Sequence, residues 1–200
     1  MFVLKLEKKM TPQDQLGFGD PFLAERLAKS LAEGFEDSLC DLEVFSCDRM
    51  AFLGLWTFDA FWFDKSWKLN VGWDLSTVVT FLPEVAFSLN KKQTAVISFF
   101  EQNISHEVNF VPIDDGIVRS EVKSLFAPLP ADFVYPPNSR FIPPTATQDR
   151  HQLIENLRQT FQVYHEAVRD YCPEVWSAKL VQDFFNSPEV KFCLEPLVKR

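Results

Sequence analysis

Hydrophobic residues alternate with polar ones in several short segments of the first two thirds of the chain, and they recur at helical spacing in the last third. The alternation at Phe2, Leu4 and Leu6 predicts an opening β-strand. Residues 94–100 and 104–111 predict an antiparallel strand pair. The regular alternation of strands with helices that a parallel sheet requires is missing from the sequence. The sequence therefore predicts an α+β fold with a mostly antiparallel sheet from the N-terminal two thirds, helices on one face and a helical C-terminal part.

Four further segments of the first two thirds carry predictions of secondary structure. Residues 20–35 predict a helix, because Asp20 and Pro21 suit its first turn and leucines follow at helical spacing. Residues 42–47 predict a short strand, and residues 51–63 fit a strand that is buried on both faces, with a helical turn as the alternative. Asp114 and Asp115 predict the cap of a short helix over residues 114–126.

Prolines separate this predicted sheet from the predicted C-terminal helices. Residues 127–146 are expected to form a long loop, since their prolines lack the N–H that regular structure needs. Thr147 is expected to cap a helix that ends before Pro173; its apolar stripe comprises Leu153, Leu157, Phe161, Tyr164, Val168 and Tyr171. A second helix is expected from Pro173 to residue 185, and a third from Pro188. Residues 1–200 thus predict one domain, of which residues 147–200 are the helical part.

The chain is acidic, with a formal net charge of -8 and a pI of about 4.9. Such a charge repels nucleic acid and anionic membranes, and it attracts basic proteins. The first residues contain no signal-peptide core, and no apolar run in the sequence has the length of a transmembrane helix. We therefore expect a soluble, cytoplasmic protein that binds neither nucleic acid nor membranes directly.

The cysteines and the known short motifs point to no cofactor. Cys40, Cys47, Cys172 and Cys193 form no CxxC pair and have no histidines at zinc-ligand spacing, so free thiols are expected. The sequence also lacks the motifs of nucleotide-binding loops, zinc proteases, α/β-hydrolases and EF-hands. We expect neither a metal nor an organic cofactor.

Aromatic residues concentrate between residues 50 and 73 of a chain that holds 21 Phe and five Trp. A carboxylate among these rings would have a raised pKa and could act as an acid, although strand-end aspartates usually face water. A histidine on the apolar side of a predicted strand could join such a pocket, or could simply bond a carbonyl in the core. The possible pocket consists of Trp56, Asp59, Trp62, Asp64, Trp67, Trp73 and His106.

Acidic residues also gather near the start of the chain. The candidate residues for binding a partner are Glu33, Glu36, Asp37, Asp41 and Glu43. On a continuous helix Glu33 and Asp37 would repel each other and the C-terminal end of the helix dipole, which a surface optimised for stability would avoid. Attraction to a basic partner explains this cluster, and so does a solvated acidic turn that keeps the protein soluble.

These observations leave three hypotheses for function. The first is an acidic module that binds a basic protein partner, as an inhibitor or a bacterial immunity protein would. The second is a carrier that holds a hydrophobic small molecule in the aromatic pocket under the proline-rich loop. The third is a small enzyme in which Asp59 or Asp64 acts as an acid and His106 as a base.

Overall fold

The computed structural model describes residues 1–9, 25, 28, 29, 38–62, 65–101, 104–124 and 145–196. The strands in these ranges are β1 (Phe2–Lys8), β2 (Trp56–Trp62), β3 (Lys65–Leu69), β4 (Ala95–Glu101), β5 (Ile104–Pro112), β6 (Ile117–Ser124) and β7 (Thr145–Asp149). The helices are α1 (Leu39–Leu53), α2 (Asp74–Val78), α3 (Phe81–Asn90), α4 (Arg150–Tyr171), α5 (Pro173–Trp176), α6 (Lys179–Phe185) and α7 (Pro188–Leu194). This arrangement confirms the α+β fold with a helical C-terminal part.

The strands form two antiparallel sheets, where the sequence predicted one. Sheet A has the order β1-β2-β3, and sheet B has the order β4-β5-β6-β7. In β1 the predicted alternation is confirmed, because Phe2, Leu4 and Leu6 are buried while Lys5 and Glu7 are exposed. The predicted pairing of residues 94–100 with 104–111 is also confirmed, with Ile97 opposite Val108.

The predicted helix over residues 114–126 is wrong, because this segment enters strand β6. Asp114 does act as a local cap, but its Oδ1 accepts the backbone N–H groups of Gly116 and Ile117 in a tight turn. Val118 and Ser120 are buried and Arg119 is exposed, which is the two-residue period of a strand. The apolar positions at 118 and 122 fit both periods, and pairing with β5 and β7 decides between them.

The predicted strand over residues 42–47 is also wrong, because helix α1 spans it. Most positions of this helix are buried, including the polar residues Glu43, Ser46 and Asp48. A helix covered on most sides shows little amphipathic period, so its sequence does not display the usual stripe. The helix ends at Gly54, whose φ of 61° lies in the left-handed region that favours glycine and turns the chain into β2. The predicted strand over residues 51–63 is therefore wrong at residues 51–53, which belong to α1, and β2 begins at Trp56.

Helix α4 carries the predicted apolar stripe on its buried face, from Leu153 to Val168. Its N-cap is Asp149, whose side chain accepts the N–H of Gln152, and not Thr147, which lies within β7. The predicted helix from Pro173 to residue 185 is divided by Ser177 and Ala178 into α5 and α6. The predicted start of the last helix at Pro188 is confirmed, with Ser187 as its cap.

Helix α4 connects the two sheets, since it packs against β1 of sheet A and follows directly after β7 of sheet B. Helix α3 packs on the same helix, and both α2 and α3 lie beside β4. Within the described ranges, no helix combines the length and the apolar character that a membrane crossing requires. The predicted helix over residues 20–35 lies outside the described residues except at 25, 28 and 29, and the predicted loop 127–146 except at 145 and 146, which belong to β7.

Candidate functional site

A groove of about 380 Å³ runs between helix α3 and strand β4, and we call it the α3–β4 groove. Its helical wall consists of Phe81, Glu84, Val85 and Ser88. Its second wall consists of Thr94, Ala95, Val96 and Ser98. The two walls are neighbours because a short turn after Asn90 reverses the chain between α3 and β4.

The helical wall is one stripe of α3. Its residues are spaced by three, four and seven positions from Phe81, and such positions share a face of a helix. Leu82, Ala86 and Leu89 point the other way and are fully buried, which fixes the rotation of the helix. This packing leaves Phe81 44% exposed and Glu84 exposed beside it.

The second wall is an edge of sheet B. Strand β4 pairs with β5 on one side, and in the described part of the chain no strand pairs with its other side. An unpaired edge presents backbone N–H and C=O groups that can bond another chain. Val96, which is 38% exposed, adds an apolar side chain to this edge.

Charged residues of α3 and of the turn that follows it differ in their interactions. The Lys92 ammonium contacts the Asp115 carboxylate and thereby lowers the pKa of that carboxyl. The Lys91 ammonium lies 3.9 Å from the centre of the Phe87 ring. Glu84 makes no ion pair with any described residue. The groove therefore offers a carboxylate to a cation from outside the chain.

The predicted acidic cluster is only partly within the described residues. Asp41 is exposed in the first turn of α1. Glu43 is only 6% exposed and lies in the core, so it is not part of a surface that a partner could touch. Glu33, Glu36 and Asp37 lie outside the described residues.

Glu43 belongs to a buried polar group between α1 and α4. Its backbone carbonyl accepts a hydrogen bond from Ser46 Oγ at 2.8 Å, and the same hydroxyl lies 2.8 Å from Tyr164 Oη. Its carboxyl Oε1 has no hydrogen-bond partner in the described structure. Burial raises the pKa of this carboxyl from 4.5 to about 8, and burial also raises the pKa of the Tyr164 phenol. The group is therefore neutral near pH 7 and lies inside the core.

The predicted aromatic pocket is divided between core and surface where its side chains are described. Trp56 is buried, with its ring edge-on to Tyr171 at 5.1 Å between centroids. Trp73 is 47% exposed, and Asp59 lies opposite Lys5 on the outward face of sheet A. Asp64 and the side chains of Trp62, Trp67 and His106 lie outside the described residues. The described members are thus divided between the core and the surface.

The cysteines are free thiols, as expected. Cys40 is exposed, and Cys47, Cys172 and Cys193 are buried. Burial raises the pKa of Cys172 and of Cys193 to about 12, so neither thiol ionises near neutral pH. Among the described residues, no group of three His, Cys, Asp or Glu side chains could hold a metal ion.

Comparison of the chain with known protein families, with curated proteins and with solved structures gives no match. The α3–β4 groove therefore stands as the candidate site on its geometry alone. The groove is not predictable from local sequence, because each of its walls is an ordinary amphipathic segment. The available signal was the placement of Phe81 and Glu84 on the same face of α3, which is visible in the sequence only once the buried face is known.

Proposed function

We propose that this chain is a protein-binding module that engages a basic protein partner. The observation that carries the proposal is the α3–β4 groove, in which an exposed phenyl ring, an exposed carboxylate and a strand edge that no described strand pairs with lie side by side. The net charge of -8 adds long-range attraction, which raises the rate of association with a basic partner. Asp41, as an exposed member of the predicted acidic cluster, would contribute to the same attraction.

The shape of the groove favours a polypeptide over a small hydrophobic molecule. A carrier encloses most of its ligand in an apolar cavity, whereas polar and charged residues share both walls of this open groove. Of the residues in the predicted aromatic pocket, Trp56 already packs against Tyr171. A narrower form of the proposal is an inhibitor, such as a bacterial immunity protein, whose target is a basic toxin or enzyme.

The proposal is tested by selecting binders for the full chain from a display library of random peptides. We expect the selected peptides to be enriched in Lys and Arg, and their affinity to fall as salt is raised, because screening weakens exposed charge pairs. In Glu84→Gln the affinity should fall several-fold, since the carboxylate is replaced by a neutral isostere.

Glu155→Gln is the matched control, because it makes the same chemical change at an exposed position of α4, away from the groove. The affinity of this variant should equal that of the natural chain. Selected peptides that carry no excess of basic residues, or whose binding ignores salt, would contradict the proposed function.

A further inference from the structure

We infer that the α3–β4 groove binds an extended, basic peptide segment by adding it as a strand to β4, on the side where no described strand pairs. The inference rests on the proposed function and specifies how the partner is held. Strand addition supplies affinity through backbone hydrogen bonds and selectivity through the side chains of the peptide. The first question is therefore which backbone groups of β4 point into the groove.

Two backbone hydrogen bonds outside the strands settle the pairing pattern of sheet B. The N–H of Ile113 donates to the carbonyl of Ile117 at 3.0 Å, so these residues form a hydrogen-bonded pair at the start of the β5–β6 ladder. The N–H of Arg150 donates to the carbonyl of Gly116 at 2.8 Å, so the backbone of Gly116, just before β6, faces β7 while that of Ile117 faces β5. In an antiparallel sheet the direction of these groups alternates along each strand.

The pattern can be carried across the sheet to β4. The backbone groups of Ile113 point to β6, so by alternation those of Phe110 and Val108 in β5 point to β4. There they lie opposite Ala95 and Ile97, whose backbone groups point back to β5. In β4 the residues that alternate with Ala95 and Ile97 direct their backbone groups away from β5. The N–H and C=O groups of Val96 and Ser98 therefore point away from β5, on the side where no described strand pairs. Both residues line the groove.

The helical wall determines the chemistry of the added strand. Phe81 and Glu84 are three residues apart on α3 and share the face that borders the groove. A Lys or Arg side chain of the peptide can lay its stem and its charge against the Phe81 ring while it pairs with the Glu84 carboxylate. An acidic peptide would instead meet this carboxylate and the negative charge of the whole chain.

The size of the groove suits one polypeptide segment. From Phe81 to Ser88 helix α3 rises about 10 Å, which is the length of about three extended residues. A second copy of the chain is a less suitable occupant, because α3 borders the edge on one side and both copies carry a charge of -8. The structure thus favours a single extended segment with basic side chains.

The test uses the full chain labelled with ¹⁵N and a capped peptide of alternating arginine and valine. Amide resonances are followed during titration with this peptide, with a glutamate–valine counterpart, and with an arginine–valine copy methylated at its backbone nitrogens. Strand addition predicts that only the unmethylated basic peptide shifts the amides of Val96 and Ser98. Shifts confined to other residues, or equal shifts with the methylated peptide, overturn the inference.

A matched pair of variants tests the edge itself. Val96→Pro removes an N–H that points away from the β4–β5 ladder, so an edge strand should tolerate it. Val96→Ala also replaces the valine side chain, in fact removing more of it than proline does, but keeps that N–H. We expect peptide affinity to fall about tenfold or more in Val96→Pro and to change little in Val96→Ala. Equal affinities in the two variants overturn the inference, and the methylated peptide decides alone if Val96→Pro does not fold.

The outcomes separate this inference from the proposed function. Basic peptides that bind in a salt-dependent manner but shift amides elsewhere leave the proposed function intact and reject strand addition. Shifts at Val96 that depend on protein concentration without any peptide would show pairing between two copies of the chain, and would also reject the inference. Peptide selection without basic enrichment rejects the proposed function itself.

Discussion

Glu43 is a carboxylic acid whose surroundings reverse the behaviour that its sequence context suggests. The side chain is 6% exposed, its Oε1 lacks a hydrogen-bond partner in the described structure, and burial raises its pKa from 4.5 to about 8. Below pH 4.5 the carboxyl is protonated in both the folded and the unfolded chain. As pH rises above this value, the unfolded chain releases the proton while the folded chain retains it, so the free energy of unfolding decreases until about pH 8.

We predict that Glu43→Gln reduces this loss of stability between about pH 5 and pH 8, because glutamine cannot ionise in either state. One pKa unit corresponds to about 1.4 kcal/mol, so the variant should gain on the order of a few kcal/mol relative to the natural chain at the upper end. Urea denaturation at several pH values measures the difference.

The control for this prediction is Glu84→Gln, in which the same change is made at an exposed side chain. Its stability should follow that of the natural chain at every pH. If the stability of Glu43→Gln also ran parallel to the natural chain across the range, Glu43 would not hold its proton in the folded state, and the burial argument would be wrong.

The same residue shows why the candidate site could be predicted only in part. Five acidic side chains close together in the sequence suggest one charged surface, but helix α1 places Asp41 outside and Glu43 inside. The rotation of that helix depends on packing against α4 and other distant elements. For the same reason the Trp-rich segment did not reveal that Trp56 faces the core and Trp73 the surface.

At the scale of elements, the edge of β1 that no described strand pairs with is bonded by side chains of α4. The N–H of Leu4 donates to Asn156 Oδ1 at 2.9 Å, and Asn156 Nδ2 donates to the Leu4 carbonyl at 2.6 Å. Thr160 Oγ1 donates to the same carbonyl at 3.0 Å. One amide side chain thus bonds both backbone groups of Leu4, as a neighbouring strand would, and it joins a helix to a sheet edge.

We predict that Asn156→Ala lowers the free energy of unfolding by about 2–3 kcal/mol, since two hydrogen bonds are lost and the N–H of Leu4 is left without its partner. Thermal or urea denaturation of the purified variant measures the loss. Gln152→Ala is the control, because it removes an exposed amide one turn earlier on the same helix and should change stability by only a few tenths of a kcal/mol. Equal effects of the two substitutions would show that the Leu4 contacts contribute nothing.

The elements predicted correctly are those in which the spacing of apolar residues in the sequence matches the positions that are buried in the fold. Helix α4 has one buried face from Leu153 to Val168, and its 22 residues repeat the helical period many times. Helix α1 is covered on most sides, so its sequence shows no clear helical period. The apolar positions of β6 fit both a helix and a strand, and the local pattern therefore led to the wrong prediction for both elements. Their conformations are decided by partners that lie far away in the sequence.

At the scale of the whole molecule, β1 connects parts of the chain that are more than a hundred residues apart. The Phe2 ring packs against Phe110 of β5 with 5.6 Å between centroids, and the Phe2 N–H donates to Gln148 of β7. On the same strand, Leu4 bonds to α4. The first strand of sheet A therefore contacts two strands of sheet B and helix α4. These contacts favour the prediction of a single domain.

If residues 1–200 fold as one domain, both sheets must unfold together, and weakening β1 must weaken sheet B. Leu4→Ala removes a fully buried side chain and should cost about 2–5 kcal/mol. We predict that tryptophan fluorescence, which reports mainly on β2 and β3, and amide exchange at Val108 and Val118 of sheet B record the same loss. Val3→Ala, on the opposite face of β1, should have a smaller effect on both. A loss of stability recorded by fluorescence alone would mean that the sheets unfold independently. The ring contact of β1 with β5 and its hydrogen bond to β7 would then be too weak to couple the two sheets.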